Sequence, residues 1–493
     1  MSDQDGANDW KTLDRDLGRL SRLEAATMYA ARPLIGVGLS LFFVGVAALA
    51  AGLIVGGAPG GLFVIIAAAF GAYMALNIGA NDVANNMGPA VGAKALSMAG
   101  AIAIAAVSES LGALLAGGDV VNTISKGIVA PESLADGQVF VTAMMAALLS
   151  AALWVNIATF IGAPVSTTHS VVGGVMGAGI AAAGLGAVNW STMGAIAASW
   201  IISPLLGGVI AAAFLAFIKW KVIYVEDKIA AARVWVPALI GLMAAAFGTY
   251  LAIKGLSHVA TIGLGKALIF GISVGLICGA IAIPLVLRQA EGMENRNRSL
   301  KILFRFPLVF SAALLSFAHG ANDVANAVGP LAGIIHAQQT GGAATEVAIP
   351  IWVMLIGAAG ISVGLVLFGP KLIDMVGNQI TKLNPMRAYC VALSAAVTVI
   401  TASWLGLPVS STHIAVGGVF GVGFFREWHA GRRSRIINEN RPPAQRLPVE
   451  ERRRRKLVRR SHFLTIAAAW IVTVPAAALL SAACYVLLSQ FLV

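Results

Sequence analysis

Two carboxylates and six hydroxyls stand out, because each belongs to a stretch that occurs twice. Asp82 lies in GANDVANNMGP (Gly79–Pro89) and Asp323 in GANDVANAVGP (Gly320–Pro330), both within apolar segments. Ionisable groups at membrane depth are costly and are usually functional. The oxygens of Asn81, Asp82 and Asn85, with Asn322, Asp323 and Asn326, suit a hard cation such as Na+. A carboxylate in such surroundings can equally bind and release a proton, and the sequence leaves the two couplings open. Each Asp could also cap a half-helix. The glycine in each copy predicts that the helix opens there and frees backbone carbonyls for a ligand.

The hydroxyls follow a proline in each half. Ser166, Thr167 and Thr168 follow Pro164-Val165, and Ser410, Ser411 and Thr412 follow Pro408-Val409. Proline is tolerated in a first helical turn, so each motif predicts a helix restart. A helix N-terminus offers free N–H groups and a partial positive charge, which suit an anion. Six hydroxyls and two such ends at one point would suit a tetrahedral oxyanion. No Arg or Lys lies in either motif, which favours release over retention. The plainer alternative is that the hydroxyls bond back to their own helices.

The elements that must position these groups are membrane helices. Of 493 residues, 58% are hydrophobic and 11% charged, far from a soluble composition. Fourteen apolar runs, some of them halves of broken helices, predict an all-α polytopic membrane protein with 12 or 13 crossings. The two motif pairs recur at offsets of 241 and 244 residues, read from Gly79 and Gly320, and from Pro164 and Pro408. Residues 1–56 read as a cytoplasmic N-terminal extension plus a first transmembrane helix. Residues 57–220 form repeat 1, 221–304 are linking helices with a cytoplasmic linker, and 305–493 form repeat 2 with a basic loop at 426–460. Loops that are basic in one repeat are neutral or acidic in the other: Arg288–Arg305 and Arg426–Arg460 correspond to the uncharged Gly56–Gly61 and Gly184–Trp190. That asymmetry predicts repeats of inverted topology with discontinuous helices, the N-terminus cytoplasmic and the C-terminus outside. A surface helix is plausible over Asp9–Tyr29.

Other polar residues interrupt the apolar runs. Glu109 has no carboxylate counterpart around Gly360-Ile361-Ser362, and it reads as a coupling site or as the partner of a neighbour. His319 stands where repeat 1 has Ile78. It and the motif histidines His169 and His413 read as hydrogen-bonding helix residues rather than metal ligands. Lys126 and Lys382 correspond across the repeats and read as helix-end or interfacial residues. The net charge of +12 clusters between apolar runs, which points to membrane topology and not to nucleic acid. Cys278, Cys390 and Cys484 form no disulfide framework or metal spacing, and no cleavable leader is expected. No HExxH or CxxC occurs, so an enzyme is not expected.

Two GANDVAN signatures, each followed by P-V-S-[ST]-T-H-x-x-x-G-G in inverted halves, resemble the inorganic phosphate transporter (PiT) family over about 61–491. The resemblance implies symport of inorganic phosphate across a cell's inner (plasma) membrane, coupled to Na+ or H+. It implies that Asp82, Asn85, Asp323 and Asn326 hold the cation and that Ser166, Thr167, Thr168, Ser410, Ser411 and Thr412 cradle phosphate. Glu109 matches a membrane glutamate of the family. No cofactor is implied beyond the coupling ion, although some bacterial members carry neutral metal–phosphate complexes. The expected partners are phosphate and the lipid bilayer, with a homodimer left open. A sulfate permease or a passive anion channel is the alternative. Phosphate retains a proton near neutral pH and can donate it to a nearby carboxylate, which sulfate cannot do.

Overall fold

The computed structural model describes residues 34–57, 60–129, 131–134, 136–161, 165–255, 262–340, 349–377, 383–439 and 460–492. The helix expected at Asp9–Tyr29, together with Pro164, Lys382 and 440–459 of the basic loop, lies outside these residues. The described chain is helical, and one isolated bridge, Val129 with Val188, is its only β pairing. In the first half α1 (Leu34–Val55) precedes α2 (Gly61–Asn81), α3 (Val83–Gly92), α4 (Met98–Ala116) and the short α5 (Gly118–Asn122). Then come α6 (Gly137–Phe160), α7 (Thr167–Ala183) and α8 (Trp190–Ile218). The linking segment holds α9 (Lys228–Lys254), α10 (Leu264–Gln289) and the short α11 (Asn297–Leu303). The second half holds α12 (Arg305–Thr340), α13 (Ile351–Met375), α14 (Pro385–Trp404), α15 (Ser411–Glu439) and α16 (Arg460–Leu492).

Eleven helices among the described residues are long and apolar enough to cross a membrane. Their outward faces carry exposed apolar side chains, such as Leu268, Ile269, Ile272 and Leu276 on α10. That pattern fits contact with lipid, where no apolar surface needs hiding. Helices then associate by close backbone packing, which explains many of the 55 glycines.

The two halves exchange partners. Helix α2 of the first half packs on α13 of the second, and α12 packs on α4. A Cβ at Gly79 would fall on the carbonyl of Ile361, and one at Gly320 on the carbonyl of Glu109. These glycines therefore admit a neighbouring backbone. They do not open the helix, contrary to the reading from sequence. Helix α12 runs unbroken through Gly320–Pro330, and Asp82 interrupts α2/α3 by one residue that keeps right-handed helical angles. The Asp82 N–H still bonds Ile78 O at 3.0 Å, and its side chain makes no cap. Substituting Gly320 by Ala overpacks the α12–α4 crossing and should cost about 1–3 kcal/mol. Melting of the purified variant checks this, with Gly194→Ala, which meets open space, as an unshifted control.

The helix breaks fall in the hydroxyl motifs instead. Helices α6 and α7 form one hairpin, and α14 and α15 form another. Helix α8, 29 residues or about 43 Å long, measures their depth. Beside its Trp190 end, the Asn189 N–H bonds Ile128 O at 2.9 Å, and Val129 pairs with Val188. These contacts close the base of the first hairpin. Just past its other end, Lys219 Nζ lies 4.9 Å from the Phe425 ring, on the outer part of the second hairpin. Between them Trp200 stacks on His169 at 3.8 Å and donates to Pro408 O at 3.0 Å, touching both tips. The hairpins thus enter from opposite faces and meet part-way. Four of the segments counted as crossings from the sequence are the legs of re-entrant hairpins.

Candidate functional site

Each hairpin tip starts its second leg with a serine cap. The Ser166 hydroxyl accepts the His169 N–H at 3.2 Å, and the Ser410 hydroxyl accepts the His413 N–H at 3.3 Å. Two helix N-termini therefore face each other at mid-depth, as the prolines and hydroxyls led one to expect. The tips also touch directly. Thr168 Oγ1 donates to Val409 O at 3.0 Å, and the His169 and His413 rings lie 4.5 Å apart.

The GANDVAN helices flank this junction, and their polar residues divide into two sets. Asn81 and Asn322 each anchor the tip of their own half. Asn81 donates to Thr159 Oγ1 at 2.9 Å, while Asn322 donates to Ser403 Oγ at 3.0 Å and accepts the Val409 N–H at 3.2 Å. Asn85 and Asn326 instead reach the tip of the opposite half. Asn85 donates to Thr412 Oγ1 at 2.9 Å, and Asn326 to Thr168 Oγ1 at 3.1 Å and Thr167 Oγ1 at 3.4 Å.

Both threonine hydroxyls then donate to one carboxylate. Thr167 Oγ1 lies 2.6 Å from Asp82 Oδ2, and Thr412 Oγ1 lies 3.2 Å from Asp82 Oδ1. Each hydroxyl passes a hydrogen bond from an amide to Asp82, so this network needs an acceptor-only group at its end. Asp323 is held differently. Its Oδ2 lies 3.1 Å from His319 Nε2 and 3.4 Å from Thr167 Oγ1, and its Oδ1 is buried without a partner. The Oδ1 of Asn326 and the Oγ of Ser411 are likewise buried and unpartnered. Unmatched polar atoms that are this deeply buried call for a ligand.

A branch leads away from Asp323. His319 Nδ1 lies 2.5 Å from Glu109 Oε2, and Asn86 donates to Glu109 Oε1 at 3.0 Å. Asp82, Asp323, Glu109 and His319 are all at most 1% exposed. Asp82, Asp323 and His319 each bring one potential ligand atom within 4.8 Å of the others. Both nitrogens of His319 already face carboxylates, so a cation here would rest on oxygens alone. That favours a hard cation over a soft transition metal.

The structure thus brings together Asp82, Asp323, Asn85, Asn326, Thr167, Thr168 and Thr412. Asn81, Asn322, Ser166 and Ser410 hold the tips, and Ser411 stands unpaired beside Thr412. Glu109 joins through His319, not by touching the tips. Lys126 lies in a π-helical turn (Thr123–Gly127) after α5. Sequence reasoning missed Asn86, Trp200 and the pairing of His319 with Glu109. The signal for the pairing was available. Gly79 and Gly320 meet the carbonyls of Ile361 and Glu109, so the counterparts of His319 and Glu109 are Ile78 and Ile361. Two polar residues, both replaced by isoleucine in the other half, are natural partners.

The chain is also similar to known proteins along most of its length. A family model described as the phosphate transporter family matches residues 78–481. A Helicobacter pylori protein named "Putative phosphate permease" is 53% identical over 416 residues, covering 84% of this chain and 78% of that protein. A Pyrococcus abyssi protein of the same description is 39% identical over 84% of this chain and 94% of its own length. A solved structure named "The sodium-dependent phosphate transporter" superposes with a TM-score of 0.78 at 36% identity, covering 87% of this chain and all of that one. With a match spanning both motif pairs and most of each relative, this polytopic membrane protein belongs to the phosphate transporter family.

Proposed function

We propose that the chain takes up inorganic phosphate by symport with Na+, by alternating access around the two hairpin tips. One observation carries the coupling. Three buried carboxylates face one histidine beside the tips, an excess of at least two negative charges when the acids are ionised. An anion cannot enter such a site unless cations come with it. Phosphate would bind between the N-termini of α7 and α15, taking N–H groups and the hydroxyl of Ser411. Its remaining proton would find Asp323 Oδ1, the unpartnered acceptor. The coupling cation would rest on the carboxylates of Asp82 and Asp323 and on amide and hydroxyl oxygens around them. The similar solved structure is of a protein named as sodium-dependent, which fits an all-oxygen donor set.

The loop charges orient the chain with its N-terminus in the cytoplasm. The first hairpin then opens outward and the second inward, so each could gate one face. A proton as coupling ion is the second reading, and the row of Glu109, His319 and Asp323 favours it, with His319 Nδ1 2.5 Å from one carboxylate and Nε2 3.1 Å from the other. Radiolabelled phosphate uptake into proteoliposomes separates these readings. An inward Na+ gradient should drive accumulation, and excess unlabelled sulfate should leave it unchanged. Accumulation driven only by an inward proton gradient would assign the proton. Displacement by sulfate, or no accumulation under either gradient, would remove the phosphate symport reading.

A further inference from the structure

A second constellation of charge lies at the far end of α8, away from the hairpin tips. Lys219, just beyond α8, meets Arg387 of α14 and Arg426 of α15. Helices α14 and α15 run antiparallel with Gly418 against Val391 and Ser394, a register that sets Arg387 beside Arg426 at the open end of the hairpin, and the Lys219 ammonium lies over Phe425, the neighbour of Arg426. All three are half-buried. Among the described residues no ion pair joins any of them to a carboxylate. Lys219 has a ring face instead, with its Nζ 4.9 Å from the centre of Phe425. Three like charges gathered where water only half covers them repel one another.

Two further features mark what would relieve the repulsion. Arg387 lies in the first turn of α14, where Asn384 caps its N–H and Pro385 begins the helix. The positive end of that helix dipole adds to the three cations. Around the cluster stand the exposed rings of Trp220 (64%), Tyr224 (45%) and Trp428 (57%). Such amphipathic rings settle at the level of lipid headgroups. We propose that Lys219, Arg387 and Arg426 form a binding site for a phosphate group at the membrane surface, filled by the headgroup of an anionic phospholipid. The bound headgroup joins both legs of the second hairpin to the end of α8. It thereby braces the open end of the hairpin whose tip lies at the central site.

The test uses the full-length protein, purified and stripped of lipid. It compares phosphatidylglycerol, phosphatidylcholine and inorganic phosphate by native mass spectrometry and thermal melting. Wild type should retain phosphatidylglycerol and melt higher with it than with phosphatidylcholine. The triple variant Lys219→Gln, Arg387→Gln, Arg426→Gln should bind phosphatidylglycerol roughly a hundredfold more weakly, at about fivefold per cation. Its melting in phosphatidylcholine alone reports whether it folds. Should it fail to fold, each single variant should still show about the fivefold loss. Protection by inorganic phosphate but not phosphatidylglycerol, lost in the triple variant, would keep the site and assign it to the free anion. Phosphate bound at the hairpin tips is common to both proteins and cancels in that comparison. Equal response of wild type to both lipids and to phosphate, or equal phosphatidylglycerol binding by wild type and variants, would overturn the proposal. The result does not depend on which ion drives transport.

Discussion

Asp82→Asn and Asp323→Asn are each expected to abolish gradient-driven phosphate uptake while the protein still inserts. Removing one member of a buried, hydrogen-bonded charge set costs about 2–5 kcal/mol. At 1.4 kcal/mol per factor of ten, that weakens cation binding on the order of a hundredfold. The two variants should nevertheless differ in stability. Asp82 receives Thr167 Oγ1 on one oxygen and Thr412 Oγ1 on the other, and both hydroxyls already accept from amides. An asparagine at position 82 must turn an NH2 donor toward one of these donating hydroxyls. That faces donor with donor across the contact joining both tips to α2/α3, and loses about 1–3 kcal/mol. Asp323 carries an Oδ1 without a partner, so an NH2 group there displaces no existing bond. Both variants should lose uptake, and Asp82→Asn should melt lower than Asp323→Asn. Paired uptake and melting measurements check this. Near-normal uptake in both would remove the cation assignment, and equal melting would remove the acceptor role of Asp82.

The difference between the two aspartates bears on what the sequence could reveal. The repeated motifs present Asp82 and Asp323 as equivalents. Repetition pointed to the candidate site and to two related halves that build it. The helix restarts at Ser166 and Ser410 were equally legible, because a proline followed by hydroxyls has a local physical meaning. The glycines were not. Gly79 and Gly320 look like helix breakers until the helices that cross them are known, and those helices come from the opposite half of the chain. Re-entrance was hidden for a related reason. Helix α6 is 24 residues long and α14 is 20, each sufficient to span a bilayer by length. Only the contact between their tips shows that they meet part-way. The division of the asparagines followed from the same exchange of partners. Asn81 and Asn85 lie one turn apart in one motif, yet they bind tips from different halves.

The asymmetry is largest at Glu109 and His319, where the second prediction follows. The pair lies at a crossing whose pseudo-symmetric equivalent holds Ile78 and Ile361, all four fully buried. Symmetry therefore shows that this crossing can be built without polar groups. Breaking a buried ion pair from one side costs about 3–5 kcal/mol, because the remaining group stays buried and uncompensated. Replacing both partners by well-packed apolar residues is often neutral or stabilising. His319→Ile should thus melt far below wild type, since it leaves Glu109 with Asn86 alone and takes a partner from Asp323. Glu109→Ile should also melt lower. The double variant Glu109→Ile, His319→Ile copies the other half and should recover much of the loss. The cycle should show a coupling of at least about 2 kcal/mol between the positions. Uptake should not recover, because Asp323 still lacks the imidazole at 3.1 Å that holds its Oδ2. Melting of the four proteins gives the coupling, and uptake under Na+ and proton gradients tests the function. Additive losses would mean that the two side chains stabilise the crossing independently. Full uptake in the double variant would make the pair a structural relic of no use to transport. Stability restored without uptake would show that this half of the site gave up a simpler packing to hold Asp323 in place.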